Sequence, residues 1–363
     1  INPNIRLVEY AVRGELAIRA EELNVALAHG ESLPFSRVVN CNIGNPQQLN
    51  QKPITFFRQV AALTEYPALL EPENRQRLEG LFPPDTFERA RTILDNIGSP
   101  SIGAYTHSQG IPYIRRNVAK FIEERDGYPS DPSNIFLTTG ASSGVQTTLS
   151  FIVENPSVGV MIPIPQYPLY TATLSLVNGR AVPYYLEEEQ DWGLDMKHLH
   201  SALVTARQAG TDVRALVIIN PGNPTGQCLA EENMREIIDF CHRERLVLLA
   251  DEVYQTNIYA PAQRPFHSFK KVLCSMGPEY ANQELFSFHS ISKGMVGECG
   301  RRGGYFECTN ISPEVVAQIY KIASISLCPN VQGQILVGIA VMRDAMPAHA
   351  IISLAMTAVH HLG

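Results

Sequence analysis

Leu246-Val247-Leu248-Leu249-Ala250-Asp251-Glu252-Val253-Tyr254 holds five apolar residues in a row, ended by an acid. An unbroken apolar run of that length, without alternation, predicts a strand covered on both faces of a sheet. Similar short runs recur at Ile135–Thr138, Gly159–Ile162, Ala181–Tyr185, Ala215–Ile219, Phe286–His289 and Gly303–Phe306. Helical patterns separate many of them. The stretch up to Val153, Leu169–Leu176, a helix that Asp195 can N-cap, and Glu231–Glu244 all read this way. In Glu231–Glu244, Met234, Ile237, Ile238 and Cys241 share a face. This alternation predicts an α/β fold with a mostly parallel central sheet and helices on both faces. In such a sheet ligands sit beyond the carboxyl ends of strands.

Upstream, residues 5–29 read as one or two helices, 44–53 as a polar loop, and 54–70 as helical. Pro83-Pro84-Asp85 opens a helix to about 96, a Gly/Ser/Pro-rich loop covers 98–113, and 115–125 is helical. The 363 residues are 45% hydrophobic and 18% charged, enough for a large core. A net charge of −7 argues against a nucleic-acid partner. No apolar run of about 18 residues or more predicts a membrane span. Seven scattered cysteines without a Cys-x-x-Cys pair favour a reducing, intracellular setting over a disulfide framework or a zinc site. No signal peptide is visible after Ile1, so a cytoplasmic location is expected, with an organelle possible if a targeting segment was removed. No metal site is expected: His198 and His200 stand two apart on a helix and share no face. Glu187-Glu188-Glu189 reads as a solvated loop and Trp192 as packing.

Four strand ends carry chemistry. Gly140-Ala141-Ser142 opens a helix, where free N–H groups and a hydroxyl can hold an anion, although an ordinary N-cap is the simpler reading. Asn220-Pro221-Gly222-Asn223-Pro224-Thr225-Gly226 is a rigid turn that presents Asn223. Asp251, directly after an apolar strand, needs a cationic partner: a ring N–H, or a salt-bridging Arg or Lys. Ser290-Ile291-Ser292-Lys293-Gly294 sets a lysine among small residues, where desolvation can make it a Schiff-base nucleophile, although a solvated lysine is the simpler reading. Taken together and in this order, the parts suit pyridoxal 5′-phosphate.

With these motifs the chain resembles the fold-type-I aminotransferases. The wording of Glu9–Gly14, Pro53–Phe56, Pro163–Tyr170, Asn220–Gly226, Ala250–Gln255 and His289–Gly300 is close to that of alanine aminotransferases, over about residues 5–334. The resemblance implies the following roles. Lys293 binds the cofactor aldehyde and later moves the Cα proton. Asp251 faces the pyridine nitrogen, Asn223 and Tyr254 hold the ring oxygen, and Tyr167 stacks on the ring. Gly140, Ala141, Ser142, Ser290 and Arg301 hold the phosphate, with Arg301 preferred over Arg302 because it stands eight residues after Lys293. Tyr105 reaches the phosphate of a second subunit, which implies a homodimer, and Gly44 lies in the segment that passes the substrate carboxylate. The implied substrates are amino acids and 2-oxo acids, with alanine and 2-oxoglutarate giving pyruvate and glutamate. Aromatic or kynurenine aminotransferases and carbon–sulfur lyases are weaker alternatives of the same fold.

The resemblance also implies a domain plan: 1–44 as an arm and part of a small domain, 45–330 as the large cofactor domain, and 331–363 as the start of a C-terminal small domain. The family wording fades after about Gln334, and residues 335–363 are apolar without helical periodicity. That small domain is expected to be incomplete, truncated or divergent. The family's arginine for the substrate α-carboxylate is expected to be missing, since Arg343 is the only arginine of the tail and lies in no matching motif. A form that binds the cofactor or dimerises without turnover is therefore a competing expectation.

Overall fold

Seven apolar runs become one sheet. A computed structural model describes residues 1–99 and 101–342. In chain order the helices and strands are α1 (Pro3–Leu7), α2 (Glu15–Ala28), α3 (Thr55–Glu65), α4 (Pro72–Leu78), α5 (Pro84–Asn96), α6 (Pro112–Asp126), β1 (Ile135–Thr138), α7 (Ala141–Ile152), β2 (Val158–Ile164), α8 (Leu169–Leu176), β3 (Arg180–Tyr185), α9 (Met196–Gln208), β4 (Asp212–Ile219), α10 (Glu231–Glu244), β5 (Val247–Asp251), α11 (Phe269–Ser275), β6 (Leu285–Ser290), β7 (Gly304–Thr309), α12 (Pro313–Ile325) and α13 (Val331–Val341). The spatial order of the strands is β1-β7-β6-β5-β4-β2-β3. All neighbours are parallel except β7, which runs antiparallel to β1 and β6.

Both faces are covered except at the edge strand β3, whose residues alternate between exposed and buried, which is why the other strands carry no alternation. Ala215, Val217 and Leu249 pack with residues of α7, α8 and α12 on one face. Leu216, Ile218, Leu248 and Ala250 pack with α9, α10 and α11 on the other. A third core joins α3, α5, α6 and α13 beside β1.

Register decides where chemistry can happen. Ile219 pairs with Asp251, and Asp251 with Phe288, so the carboxyl ends of β4 and β5 finish level and β6 runs two residues further, to Ser290. The first residue of β7, Gly304, pairs with both Thr138 and Ser290, the last residues of β1 and β6. A Cβ on Gly304 would lie 2.8 Å from the His289 carbonyl and 2.9 Å from the Ala141 nitrogen, so only glycine lets these backbones converge.

Residues 331–341 form helix α13. Helix α13 buries residues on every side, among them Ile335, Leu336, Val337 and Ile339, within the core of α3, α5 and α6. The expected boundary at 330/331 therefore runs through continuous packing. A helix buried all round shows no apolar stripe, and so 335–341 looked aperiodic. The rest of the expected tail, Arg343 included, lies outside the described residues. No helix among those described is long and apolar enough to cross a membrane, and no group of three or more His, Cys, Asp or Glu among them could hold a metal.

Candidate active site

The level strand ends open into a cavity of about 750 Å³, lined in part by Gly44, Ala141, Ser142, Tyr167, Asn223, Asp251, Tyr254, Ser290 and Lys293. Asp251 ends β5 and is buried. Burial pushes its carboxyl up, while hydrogen bonds from the Tyr170 hydroxyl and the Val253 N–H hold it down. The Tyr170 Oη donates to Oδ2 at 2.8 Å and the Val253 N–H to Oδ1 at 3.3 Å. Among the described residues no Lys or Arg pairs with Asp251, so the salt-bridge reading of this acid does not hold. A buried carboxylate that lines a cavity and has no cationic partner among the described residues fits a ligand that brings one, such as a protonated ring nitrogen.

Asn223 and Tyr254 approach each other, with Nδ2 to Oη at 3.5 Å. Burial and the charge of Asp251 push the Tyr254 hydroxyl up to about 12, so it is a neutral donor at ordinary pH. Tyr167 is half-buried, and its hydroxyl meets that of Tyr10 at 2.7 Å. The Lys293 amine donates to the Gly44 carbonyl. Burial pulls this amine below the usual lysine range, the neighbouring Cys299 opposes that shift, and Arg302 adds to it. A lowered ammonium pKa raises the neutral, nucleophilic fraction at any pH below the ordinary value.

The opposite wall is an anion cradle. Gly140 precedes α7 with φ +81°, and a Cβ there would meet the Arg302 guanidinium at 2.3 Å. Glycine leaves room for the arginine over the first turn of α7, whose N–H groups have no side-chain cap. Arg302 Nη2 donates to Ser142 Oγ at 3.1 Å and to the Thr139 carbonyl at 3.3 Å, and Nη1 to the Cys299 carbonyl at 3.1 Å. Buried Ser290 accepts from the Ser292 N–H at 3.2 Å. Helix start, hydroxyls and guanidinium together suit a phosphate.

Spacing favours Arg301, but of the two it is Arg302 that lines the cleft. Arg301 ends a single 3-10 turn, and its side chain lines a separate cavity of about 170 Å³ with Arg58, Glu65 and Gln332. Arg302 adopts the left-handed conformation, φ +54°, and that turn delivers the second guanidinium to the cleft. Tyr105 is 78% exposed and outside the cleft of its own chain. Tyr170, Tyr10 and Arg13 contribute to the site without having been singled out from sequence. The acid-rich turn after β5 is braced from behind. Arg125 pairs with Asp126 at 2.6 Å and donates to Gln255 at 2.9 Å, and the Glu252 carboxylate accepts from the Phe269 N–H at 2.7 Å. Burial pushes Glu252 up to about 8.

The family model described as aminotransferase class I and II matches residues 79–349. The chain belongs to this family. It is 53% identical over 343 residues to a probable mitochondrial alanine aminotransferase of Dictyostelium discoideum. That match covers 93% of this chain and 64% of the relative, so the chain spans under two thirds of that protein's length. It is 53% identical to glutamate–glyoxylate aminotransferase 1 of Arabidopsis thaliana, over 94% of this chain and 68% of that protein. It is 51% identical to human alanine aminotransferase 1, over 95% and 69%. An alanine aminotransferase structure from Pyrococcus furiosus superposes with a TM-score of 0.73 at 21% identity, covering 97% of this chain and 75% of that one, which establishes the shared fold.

Proposed function

We propose that the protein is a pyridoxal phosphate-dependent alanine aminotransferase, exchanging the amino group between L-alanine and 2-oxoglutarate to give pyruvate and L-glutamate. The observation that carries this reading is the buried Asp251, which has no Lys or Arg partner among the described residues, in one cavity with Lys293 and an anion cradle. The names of the relatives narrow the substrate. When bound, the cofactor supplies an electrophilic aldehyde and a ring that accepts electrons. Lys293 Nζ would hold the aldehyde, and its amine, when free, would take and return the proton at the substrate Cα. Asp251 would keep the ring nitrogen protonated. Asn223 and Tyr254 would donate to the ring oxygen, Tyr167 would cover the ring, and Gly140, Ala141, Ser142, Ser290 and Arg302 would hold the phosphate.

A homodimer belongs to the same proposal: Tyr105 stands exposed, outside its own chain's cleft, free to reach a second copy's phosphate end. Glyoxylate is a second acceptor to consider, because a glutamate–glyoxylate aminotransferase matches at the same identity as the first alanine relative. The test is a coupled assay with alanine or glutamate as donor and 2-oxoglutarate or glyoxylate as acceptor. Pyruvate formation with 2-oxoglutarate supports the alanine reading. Turnover only with glutamate and glyoxylate replaces it with the second.

A further inference from the structure

The turn that follows β5 looks two ways. Asp251 and Tyr254 line the cavity. Glu252 and Gln255 are buried and do not line it; α11 and α6 reach them instead. The cavity side is thinly held. The Tyr254 hydroxyl accepts one hydrogen bond among the described residues, from Asn223 Nδ2, and at 3.5 Å it is at the limit of such a bond. A tyrosine held so weakly at its tip is placed by its backbone.

That backbone is cross-braced. The Glu252 N–H donates to the Phe288 carbonyl at 3.0 Å, and its carboxylate accepts from the Phe269 N–H at 2.7 Å. The Glu252 carbonyl accepts from the Gln255 N–H at 3.2 Å and from Gln255 Nε2 at 3.3 Å, so Gln255 closes the turn across Tyr254. Gln255 Oε1 accepts in turn from Arg125 Nη1 at 2.9 Å. Arg125 cannot swing, because its Nε and Nη2 hold the two oxygens of buried Asp126 at 2.7 and 2.6 Å. A planar guanidinium forked onto one carboxylate presents its remaining N–H in a fixed direction. We propose that Gln255, held by Arg125, is the positioning residue for Tyr254 and sets the reach of its hydroxyl toward the ring oxygen of the cofactor. This inference rests on the cofactor reading and deepens it.

The chemistry supplies a readout that packing alone does not move. A hydroxyl that donates to the ring oxygen stabilises its anionic form, so the proton shared with the neighbouring Lys293 nitrogen is lost at lower pH. Weakening that bond raises the pH midpoint of the bound cofactor's visible band.

The test is a spectral pH titration of the cofactor-loaded wild type, Gln255→Leu, Arg125→Lys, Tyr254→Phe and the double variant Gln255→Leu/Tyr254→Phe, with Tm measured for each. Tyr254→Phe should raise the midpoint by about 1 to 2 pH units, the range of one hydrogen bond to a charged group. Gln255→Leu leaves the Arg125–Asp126 pair intact and should raise it by about 0.5 to 1 pH unit, with a smaller rise in Arg125→Lys. In the Tyr254→Phe background, Gln255→Leu should add less than about 0.2 pH units. An unchanged midpoint in Gln255→Leu, with only Tm lowered, would make the brace purely structural and overturn the proposal. So would an equal rise with and without the Tyr254 hydroxyl. A wild-type protein that shows no visible band would remove the cofactor reading and this inference with it, whereas a midpoint that follows Tyr254 but not Gln255 removes this inference alone.

Discussion

The base and the rim of the cleft are built differently. At the base, Asp251, Ser290 and the α7 start hang from strand ends whose register is set by paired backbones, and Asp251, Ser290 and Arg302 each have protein partners. At the rim, the N-terminal arm is held by a few side-chain contacts. Helix α2 behind it buries no residue, with Leu16 85% and Ile18 60% exposed. A base preset by sheet topology suits a group that stays in place through every cycle. A more loosely held rim suits groups that come and go. Substitutions at the base should therefore change cofactor chemistry for every substrate, and those at the rim should change the choice among substrates.

The largest effect should follow Asp251→Asn. An amide cannot hold a proton on the ring nitrogen, so Cα proton exchange in deuterated solvent should slow about 10²- to 10³-fold with cofactor still bound. Unchanged exchange, followed by NMR, would remove Asp251 from the base. Next, the two neighbouring arginines should separate. Arg302→Gln should weaken cofactor affinity about 10- to 100-fold through loss of a charge-assisted contact, while Arg301→Gln should shift it less than 3-fold. Fluorescence titration of the apoprotein decides this, and the reverse ranking would restore the spacing argument.

Tyr170→Phe should act more gently. Its hydroxyl stabilises the ionised form of Asp251, so without it the carboxyl pKa rises further. Asp251 then protonates at higher pH as acid is added, and the acid limb of the kcat profile moves upward, with kcat falling roughly 10-fold. A profile that drops in height without moving would mean Tyr170 only packs.

The smallest effect lies behind the base, at Glu252. Its folded-state pKa of about 8 lies above the ordinary glutamate value. The folded state then holds a proton that the unfolded chain releases between about pH 4.5 and 8, and stability falls as pH rises through that window. Glu252→Gln should flatten that decline by on the order of 1–3 kcal/mol at pH 8, measured by denaturant unfolding across the pH range. An unchanged slope would show that the carboxylate is ionised and balanced by Arg125.

Much of the base was legible in the chain. Apolar runs announce strands that are covered on both faces, and the polar residues just beyond them, Asp251 and Lys293 among them, meet in one cavity. What stayed hidden depends on conformation. Choosing between Arg301 and Arg302 turns on the left-handed backbone of Arg302, which spacing does not reveal. Tyr170 is one of two tyrosines in Gln166-Tyr167-Pro168-Leu169-Tyr170, and only the packing of α8 on the sheet brings its hydroxyl to Asp251. Helix α13 lacked a stripe because it is buried all round. Arg13 lies far from every strand end in sequence and enters the cleft through the arm's contacts alone.

The central claim is that Lys293 is the covalent anchor of a pyridoxal phosphate site. It is tested most directly by loading the protein with pyridoxal phosphate, reducing with borohydride and locating the label by peptide mass spectrometry. The account predicts one phosphopyridoxyl group per chain, on Lys293, and none after Lys293→Ala. Stoichiometric label on another lysine, or label that survives in Lys293→Ala, would contradict it.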